Sequence, residues 1–173
     1  MIRIISFLTM LTLLLSFKIH VDLVIKNGSD LTDISRTDTL YKKNNTSEGY
    51  FVKGKKNGYW KYYNKNGTIE QKGEYINDKK TNYWFFYNFK GKLISEGRFL
   101  NNLKNGYWKY YDSNELISKE GNYESDTMEG YWKYYVNKKL IKEGWMSANK
   151  KISYWNIYHE NGTFSHLINY SGD

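Results

Sequence analysis

A 24-residue repeat is the feature that most constrains the fold of this chain. The tryptophans of a recurring Tyr-Trp pair are spaced by 24, 24, 24 and 23 residues, and a glycine and a second tyrosine recur at the same spacing. Self-similarity at a fixed period is the signature of repeat architectures. The sequence therefore predicts a repeat domain over residues 49–173. The repeated positions are Trp60, Trp84, Trp108, Trp132 and Trp155, with Gly49, Gly73, Gly97, Gly121 and Gly144, and Tyr63, Tyr87, Tyr111, Tyr135 and Tyr158.

Each repeat has the pattern of two strands and two turns. Residues 58–63 are mostly aromatic, as β-strands prefer, and Asn66-Gly67 supplies the positive φ of a tight turn. A second strand is predicted from about residue 68 to residue 76, with another turn at 77–80. The fourth copy lacks one residue, which we place in the turn at 136–139, where a length change costs least.

Composition agrees with an all-β fold. Aromatic residues make up 18% of the chain, alanine occurs once, and proline and cysteine are absent. A chain rich in tyrosine and asparagine favours strands over helices, and the absence of cysteine excludes disulfides, thiolate metal sites and cysteine nucleophiles. We predict an elongated antiparallel β-meander of about five tandem hairpins, stabilised by rows of stacked aromatic side chains.

The alternation of side chains along a strand predicts two different faces. Tyr59, Lys61 and Tyr63 share one side of the first strand, and Trp60 and Tyr62 share the other. We therefore expect one row of tryptophans and one row of tyrosines with lysines along the sheet.

On the second strand the same alternation groups Ile69, Gly73 and Tyr75. A glycine inside a strand suggests a close approach by another group or a local bulge. Two interpretations follow: an indole lies across each repeat glycine, or the glycine marks only a bulge or a sharp twist.

The N-terminal part of the chain differs in composition. An apolar run of 14 residues follows Arg3, which predicts that residues 1–20 form a signal peptide or membrane anchor and that the protein is exported to the periplasm, the cell surface or the medium. Residues 21–48 are interpreted as a spacer or a degenerate first hairpin. At the other end of the repeat domain Ile168 replaces the repeat glycine, which is expected of a capping unit. The open edges of the sheet make edge-to-edge pairing of two copies of the chain a further possible interaction.

The repeat carries the motifs G-Y-W-x-x-Y, x-N-G and E-G-x-Y in this order, with Asn82 and Ser153 in place of the first glycine in two copies. They are found as 57–63, Asn66-Gly67 and 72–75, with a later copy at 120–123. This pattern resembles the MORN (membrane occupation and recognition nexus) repeat, and most closely its bacterial variant in YwqK-type antitoxins. The resemblance covers residues 49–170 and implies an elongated β-meander used to bind proteins or phospholipids, or to neutralise a partner toxin.

Catalytic chemistry is not predicted. The histidines are His20, His159 and His166, and no third ligand recurs near them, so we expect no metal site and no cofactor. The acidic residues form no recurring pair and no glycine-rich loop opens a helix. We expect a protein that is not an enzyme.

The function that fits these features is a non-catalytic binding or scaffold module for protein partners. The net charge is +8, and Lys61, Lys109 and Lys133 are expected to face an acidic partner beside exposed aromatic residues. The alternatives are an antitoxin or immunity role and binding to anionic lipid or cell-wall glycan, while interleaved Lys and Glu disfavour nucleic acid. The predicted binding set is Tyr59, Trp60, Lys61, Tyr63, Trp84, Tyr87, Trp108, Lys109, Tyr111, Trp132, Lys133, Tyr135, Trp155 and Tyr158.

Overall fold

The computed structural model describes residues 39–170, and this part of the chain is one antiparallel sheet whose strands lie side by side in sequence order. The prediction of an all-β meander is confirmed. The strands are β1 (Thr39–Lys43), β2 (Ser47–Val52), β3 (Lys55–Tyr63), β4 (Ile69–Ile76), β5 (Lys79–Tyr87), β6 (Leu93–Leu100), β7 (Leu103–Tyr111), β8 (Ile117–Glu124), β9 (Thr127–Val136), β10 (Lys139–Ser147), β11 (Lys150–Tyr158) and β12 (Phe164–Asn169).

The predicted leader at 1–20 lies outside the described residues. Within them, β1 pairs with β2 in a hairpin that includes Leu40 and Tyr41, so the sheet starts before residue 49. No helix in this part of the chain is long and apolar enough to span a membrane.

Two-residue turns connect one repeat to the next. Asn77 and Asp78 both have positive φ values, 50° and 66°, which is the conformation whose twist matches that of the flanking strands. The side chain of the second turn residue also accepts a hydrogen bond from the backbone of the preceding repeat. The Lys56 N–H donates to Asp78 Oδ1 at 2.8 Å, and the Lys104 N–H donates to Asp126 Oδ1 at 2.7 Å. These turns therefore join neighbouring hairpins as well as closing their own.

The turn inside the fourth repeat is shortened. The equivalent turn between Tyr63 and Ile69 spans 64–68, whereas β9 ends at Val136 and β10 begins at Lys139. The predicted position of the deleted residue, in the 136–139 turn, is confirmed.

A bulge near the start of β4 changes one face assignment. Tyr62 pairs with Gln71, but Tyr63 pairs with Ile69, so Glu70 is the extra residue. Ile69 therefore shares a face with Tyr63, and the prediction that it lies with Gly73 and Tyr75 is wrong. One inserted residue reverses the alternation of the strand, which a period-2 pattern does not contain.

A second bulge explains the residue that precedes each Tyr-Trp pair. Gly58 has φ = 70°, and the residues at the same repeat position, Asn82 and Ser153, have φ = 55° and 57°. Glycine adopts this left-handed conformation without strain, and asparagine tolerates it better than most residues. The position therefore requires a backbone conformation and not a particular side chain.

The repeat glycines have a different role. An added Cβ at Gly97 would overlap Cδ2, Cε2 and Cγ of the Trp108 indole, and the other four repeat glycines are covered in the same way by the tryptophan eleven residues later. The prediction that an indole lies across each repeat glycine is confirmed. A register shift also follows Gly73 and Gly144, but its extra residues lie on the facing strand, at 82–83 and 153–154. The alternative interpretation, that the glycine marks only a bulge or a sharp twist, is therefore wrong.

Candidate binding surfaces

The tryptophan face of the sheet is the side that carries Trp60 and its repeat equivalents. These five indoles are 0–2% exposed, so the expectation that the tryptophans are exposed for binding is wrong. Each indole lies flat on a glycine and donates its Nε1–H to a backbone carbonyl, as Trp108 does to Arg98 at 3.0 Å. The other acceptors are Tyr50, Glu74, Asn122 and Trp145, at 3.0, 3.0, 3.2 and 3.0 Å.

Neighbouring aromatic rings complete the burial of the tryptophans. Tyr75, Phe99 and Tyr123 each stand edge-on to the next indole, with ring centroids 5.0, 5.2 and 5.2 Å from Trp84, Trp108 and Trp132. Edge-to-face packing is a favourable geometry for aromatic pairs. This continuous row lets a single layer of strands bury its largest side chains without a second layer.

Lysines cover the outer side of the same row. The Nζ atoms of Lys56, Lys80, Lys104 and Lys151 lie 4.9, 4.2, 4.6 and 4.9 Å from the ring centroid of the tryptophan four residues later. Cations over an indole face are attracted by the negative ring surface. These lysines were not among the predicted residues, although they stand four residues before the tryptophan in four of the five repeats. Met128 takes this position in the fourth repeat.

The tryptophan face is strongly basic. Lys42, Lys119 and Lys142 lie beside rings on the same side, 5.1, 4.4 and 4.7 Å from Phe51, Tyr110 and Tyr134, and bring the lysines there to seven. None of the seven forms an ion pair within residues 39–170. Except for Glu70 in its bulge, the carboxylates of the strands alternate onto the opposite face: Glu48, Glu74, Glu96, Glu120, Glu124, Glu129 and Glu143.

The pKa values of these lysines reflect their burial and the neighbouring positive charges. Burial, together with the positive charge of Lys56, lowers the pKa of Lys80 to about 8, although Glu70 opposes the change. Burial also lowers the pKa of Lys104, and Lys119 adds to that effect, while Asp126 opposes it. The face therefore holds positive charge at an electrostatic cost that a bound anion would relieve.

The glutamate face is the opposite side of the sheet, which carries Glu48 and its repeat equivalents. In four of the five repeats, the glutamate before the repeat glycine accepts a hydrogen bond from the tyrosine fifteen residues later. The pairs are Glu48–Tyr63, Glu96–Tyr111, Glu120–Tyr135 and Glu143–Tyr158, each at 2.7 Å. Four of the predicted binding tyrosines are therefore held by hydrogen bonds within the sheet, and their glutamate partners were not among the predicted residues.

The three predicted lysines also lie on the glutamate face, opposite acidic residues. Lys61 forms an ion pair with Glu48 at 3.0 Å, Lys109 is the cross-strand neighbour of Glu96 and Glu120, and Lys133 is the neighbour of Glu120 and Glu143. Opposite charges directly across a sheet stabilise the pairing. These lysines are thus matched to acids of the same chain, unlike those of the tryptophan face.

Glu48 is the most enclosed of these carboxylates, at 9% exposure. It accepts hydrogen bonds from Tyr63, Lys61 and Tyr41 and pairs with Lys43. These donors, led by the Tyr63 hydroxyl, lower its pKa from 4.5 to about 2.

Tyr59 completes the predicted set and lies on the glutamate face, 44% exposed and opposite Glu74. Tyr87 lies on this face as well, but Lys72 takes the place of its glutamate partner. Residues 39–170 contain no group of three histidine, aspartate or glutamate side chains placed to hold a metal ion.

Comparison with known proteins gives no assignment. No protein-family model matches the chain, and a search of curated proteins finds no significant similarity.

Proposed function

We propose that this protein is a non-catalytic binding module whose tryptophan face binds an acidic surface of a protein partner. The observation that carries the proposal is the separation of charge between the two faces. Seven lysines on one face form no ion pair with any described residue, and almost all strand carboxylates lie on the other face. Complementary charge across an interface speeds association and selects the partner.

The burial of the tryptophans favours a protein partner over the other anionic candidates. Interfacial membrane binding uses apolar side chains that enter the lipid, and binding of single-stranded nucleic acid uses rings on which bases stack. The indoles here are 0–2% exposed beneath lysine side chains, so they offer neither contact. Lysine ammonium groups at regular intervals are suited to the carboxylates of a folded protein surface.

We also propose that the repeats are of the MORN type, in the variant found in YwqK-type antitoxins. The tandem hairpins, the glycine beneath each tryptophan and the Asn-Gly turns support this assignment. An acidic protein partner is compatible with either a scaffold or an antitoxin role.

The test compares two double variants that remove the same charge from opposite faces. K80M/K104M removes two lysines of the tryptophan face, where Met128 already occupies the same repeat position in the fourth copy. K109M/K133M is the matched control on the glutamate face. With poly-glutamate as the probe, titration calorimetry at low salt should show binding about tenfold weaker for K80M/K104M and nearly unchanged for K109M/K133M.

Circular dichroism checks that both variants keep the sheet. Equal losses in both would mean that only net charge matters and would contradict a face-specific site. Vesicles of phosphatidylglycerol and a single-stranded DNA oligomer serve as competing probes. Tighter binding of either than of poly-glutamate would overturn the choice of a protein partner.

A further inference from the structure

The glutamate face contains one repeat in which the regular hydrogen bond between glutamate and tyrosine is not made. At the position of Glu48, Glu96, Glu120 and Glu143 the second repeat has Lys72. The lysine that faces the glutamate in the first, third and fourth repeats is also replaced, by Phe85. The second repeat thus reverses the charge at one position and removes it at its neighbour.

The groups left at this place have no acidic partner. Lys72 Nζ lies 5.3 Å from the ring centroids of both Phe85 and Tyr87 and forms no ion pair within residues 39–170. The Tyr87 hydroxyl, unlike those of the four equivalent tyrosines, has no hydrogen bond to any described residue. The cross-strand neighbour on the other side of Lys72 is a second cation, Lys61.

The nearest carboxylates are engaged elsewhere. Glu74, two residues along β4, accepts a hydrogen bond from Asn82 at 2.7 Å, and Glu96, across from Phe85, accepts one from Tyr111 at 2.7 Å. Glu48 holds Lys61 at 3.0 Å. No carboxylate of the surrounding strands therefore takes the place that glutamate has in the other repeats.

We propose that Lys72, Tyr87 and Phe85 form a binding site for the carboxylate of an aspartate or glutamate side chain on a partner protein. The carboxylate accepts a hydrogen bond from the Tyr87 hydroxyl and forms an ion pair with the Lys72 ammonium. In the other four repeats a glutamate of the chain accepts the equivalent hydrogen bond from its tyrosine. Hydrogen bonds to charged groups are stronger than neutral ones.

The surroundings of the site favour a side chain carried by a protein segment. Tyr83 is 41% exposed and its ring lies 5.4 Å from Phe85, so an aromatic surface adjoins the polar groups. Exposed tyrosines are enriched at protein interfaces relative to the rest of the surface. The site lies on the glutamate face, opposite the seven lysines of the tryptophan face. It is therefore tested independently of the function proposed for the tryptophan face.

The experiment uses the full chain and a probe that copies the missing group. N-acetyl-Glu-Gly-amide is titrated while the ring carbons of tyrosine and the Lys72 Nζ are followed by NMR, with the Tyr87 signals assigned from Y87F. We expect shifts at both residues with a dissociation constant on the order of millimolar, as for a single exposed ion pair with a hydrogen bond. N-acetyl-Gln-Gly-amide should produce no comparable shift.

The decisive variant is K72E, which restores the residue found in the other repeats. Its own carboxylate should bond to Tyr87 and weaken probe binding by about tenfold or more while the sheet stays folded. K72M removes the charge without supplying a carboxylate and should also weaken binding. K80M/K104M, on the opposite face, should leave these shifts unchanged, which separates this site from the proposed acidic surface contact.

Three results would overturn the proposal. Equal shifts with the glutamine probe would exclude carboxylate recognition, and unchanged binding in K72E and K72M would exclude Lys72. Acetate that binds as tightly as the dipeptide would assign the site to small carboxylates and not to a protein side chain.

Discussion

The two faces of the sheet are built from the same strands with the same repeat period, yet they differ in whether their charged side chains lie beside opposite charges. On the tryptophan face, lysines lie over buried indoles and form no ion pair with a carboxylate of residues 39–170. On the glutamate face, carboxylates accept hydrogen bonds from tyrosines and stand opposite lysines. The comparison indicates that the glutamate face largely neutralises itself, whereas the tryptophan face combines most of the packing with lysines that form no ion pair within residues 39–170.

The largest expected effect tests which face stabilises the fold. W132A removes an indole that is 0% exposed and should lower the free energy of unfolding by about 4 kcal/mol, because its neighbours cannot fill the cavity. W145A is the control on the glutamate face, where the side chain is 51% exposed beside Tyr131, and should cost about 1 kcal/mol. Urea denaturation measures both, and equal losses would contradict the assignment of the core to one face.

The next effect tests the close approach beneath the indoles. G97A should lower the free energy of unfolding by about 3 kcal/mol, since the new methyl group overlaps Trp108 and the single-layer sheet must shift to admit it. G106N is the matched control, because no atom lies within 4 Å of its added Cβ and Asn82 already occupies the equivalent position with φ = 55°. We expect a loss of no more than about 1 kcal/mol there. Thermal and urea unfolding that ranked G106N below G97A in stability would refute the close-approach account.

The smallest effect concerns the electrostatics of the glutamate face. The pKa of Glu48 is lowered from 4.5 to about 2, so the unfolded chain binds more protons than the folded one between these values. The contribution of Glu48 to stability is therefore complete above pH 4.5 and is lost as the pH falls toward 2. E48Q should flatten the pH dependence of unfolding in this window, measured by urea titration at several pH values. A variant whose pH profile matched that of the unchanged chain would show that Glu48 is not the titrating group.

Much of the fold followed from the sequence because the repeat is encoded locally. The constant spacing of Trp, Gly and Tyr, with turn residues between them, predicted tandem hairpins. The one-residue deletion in the fourth repeat agreed with this prediction because it lies in a turn. The misplacement of Ile69 shows the limit of this reasoning. The bulge at Glu70 depends on pairing with the neighbouring strand, and the alternation of a single strand does not reveal it.

The candidate surfaces were only partly predictable. The tyrosines, and Lys61 with its equivalents, were found from the pattern next to each tryptophan, but the expectation of exposed tryptophans failed, because burial depends on rings supplied by adjacent repeats. In four repeats the glutamate that accepts the tyrosine hydrogen bond stands fifteen residues before that tyrosine, and the two residues meet only across paired strands. In four of the five repeats a lysine lies over the indole and precedes its tryptophan by four residues, a spacing that the sequence shows but that indicates a contact only once the strands are paired.

The sequence by itself determined the period, the strand class and the turn positions, since these depend on residue types within one repeat. Only the tertiary structure decided which side chains are buried, which charges are neutralised, and which lysines, such as Lys72, form no ion pair within residues 39–170. The physical reason is that burial and ion pairing are properties of neighbours across strands, and the register that makes them neighbours is set by the bulges of the assembled sheet.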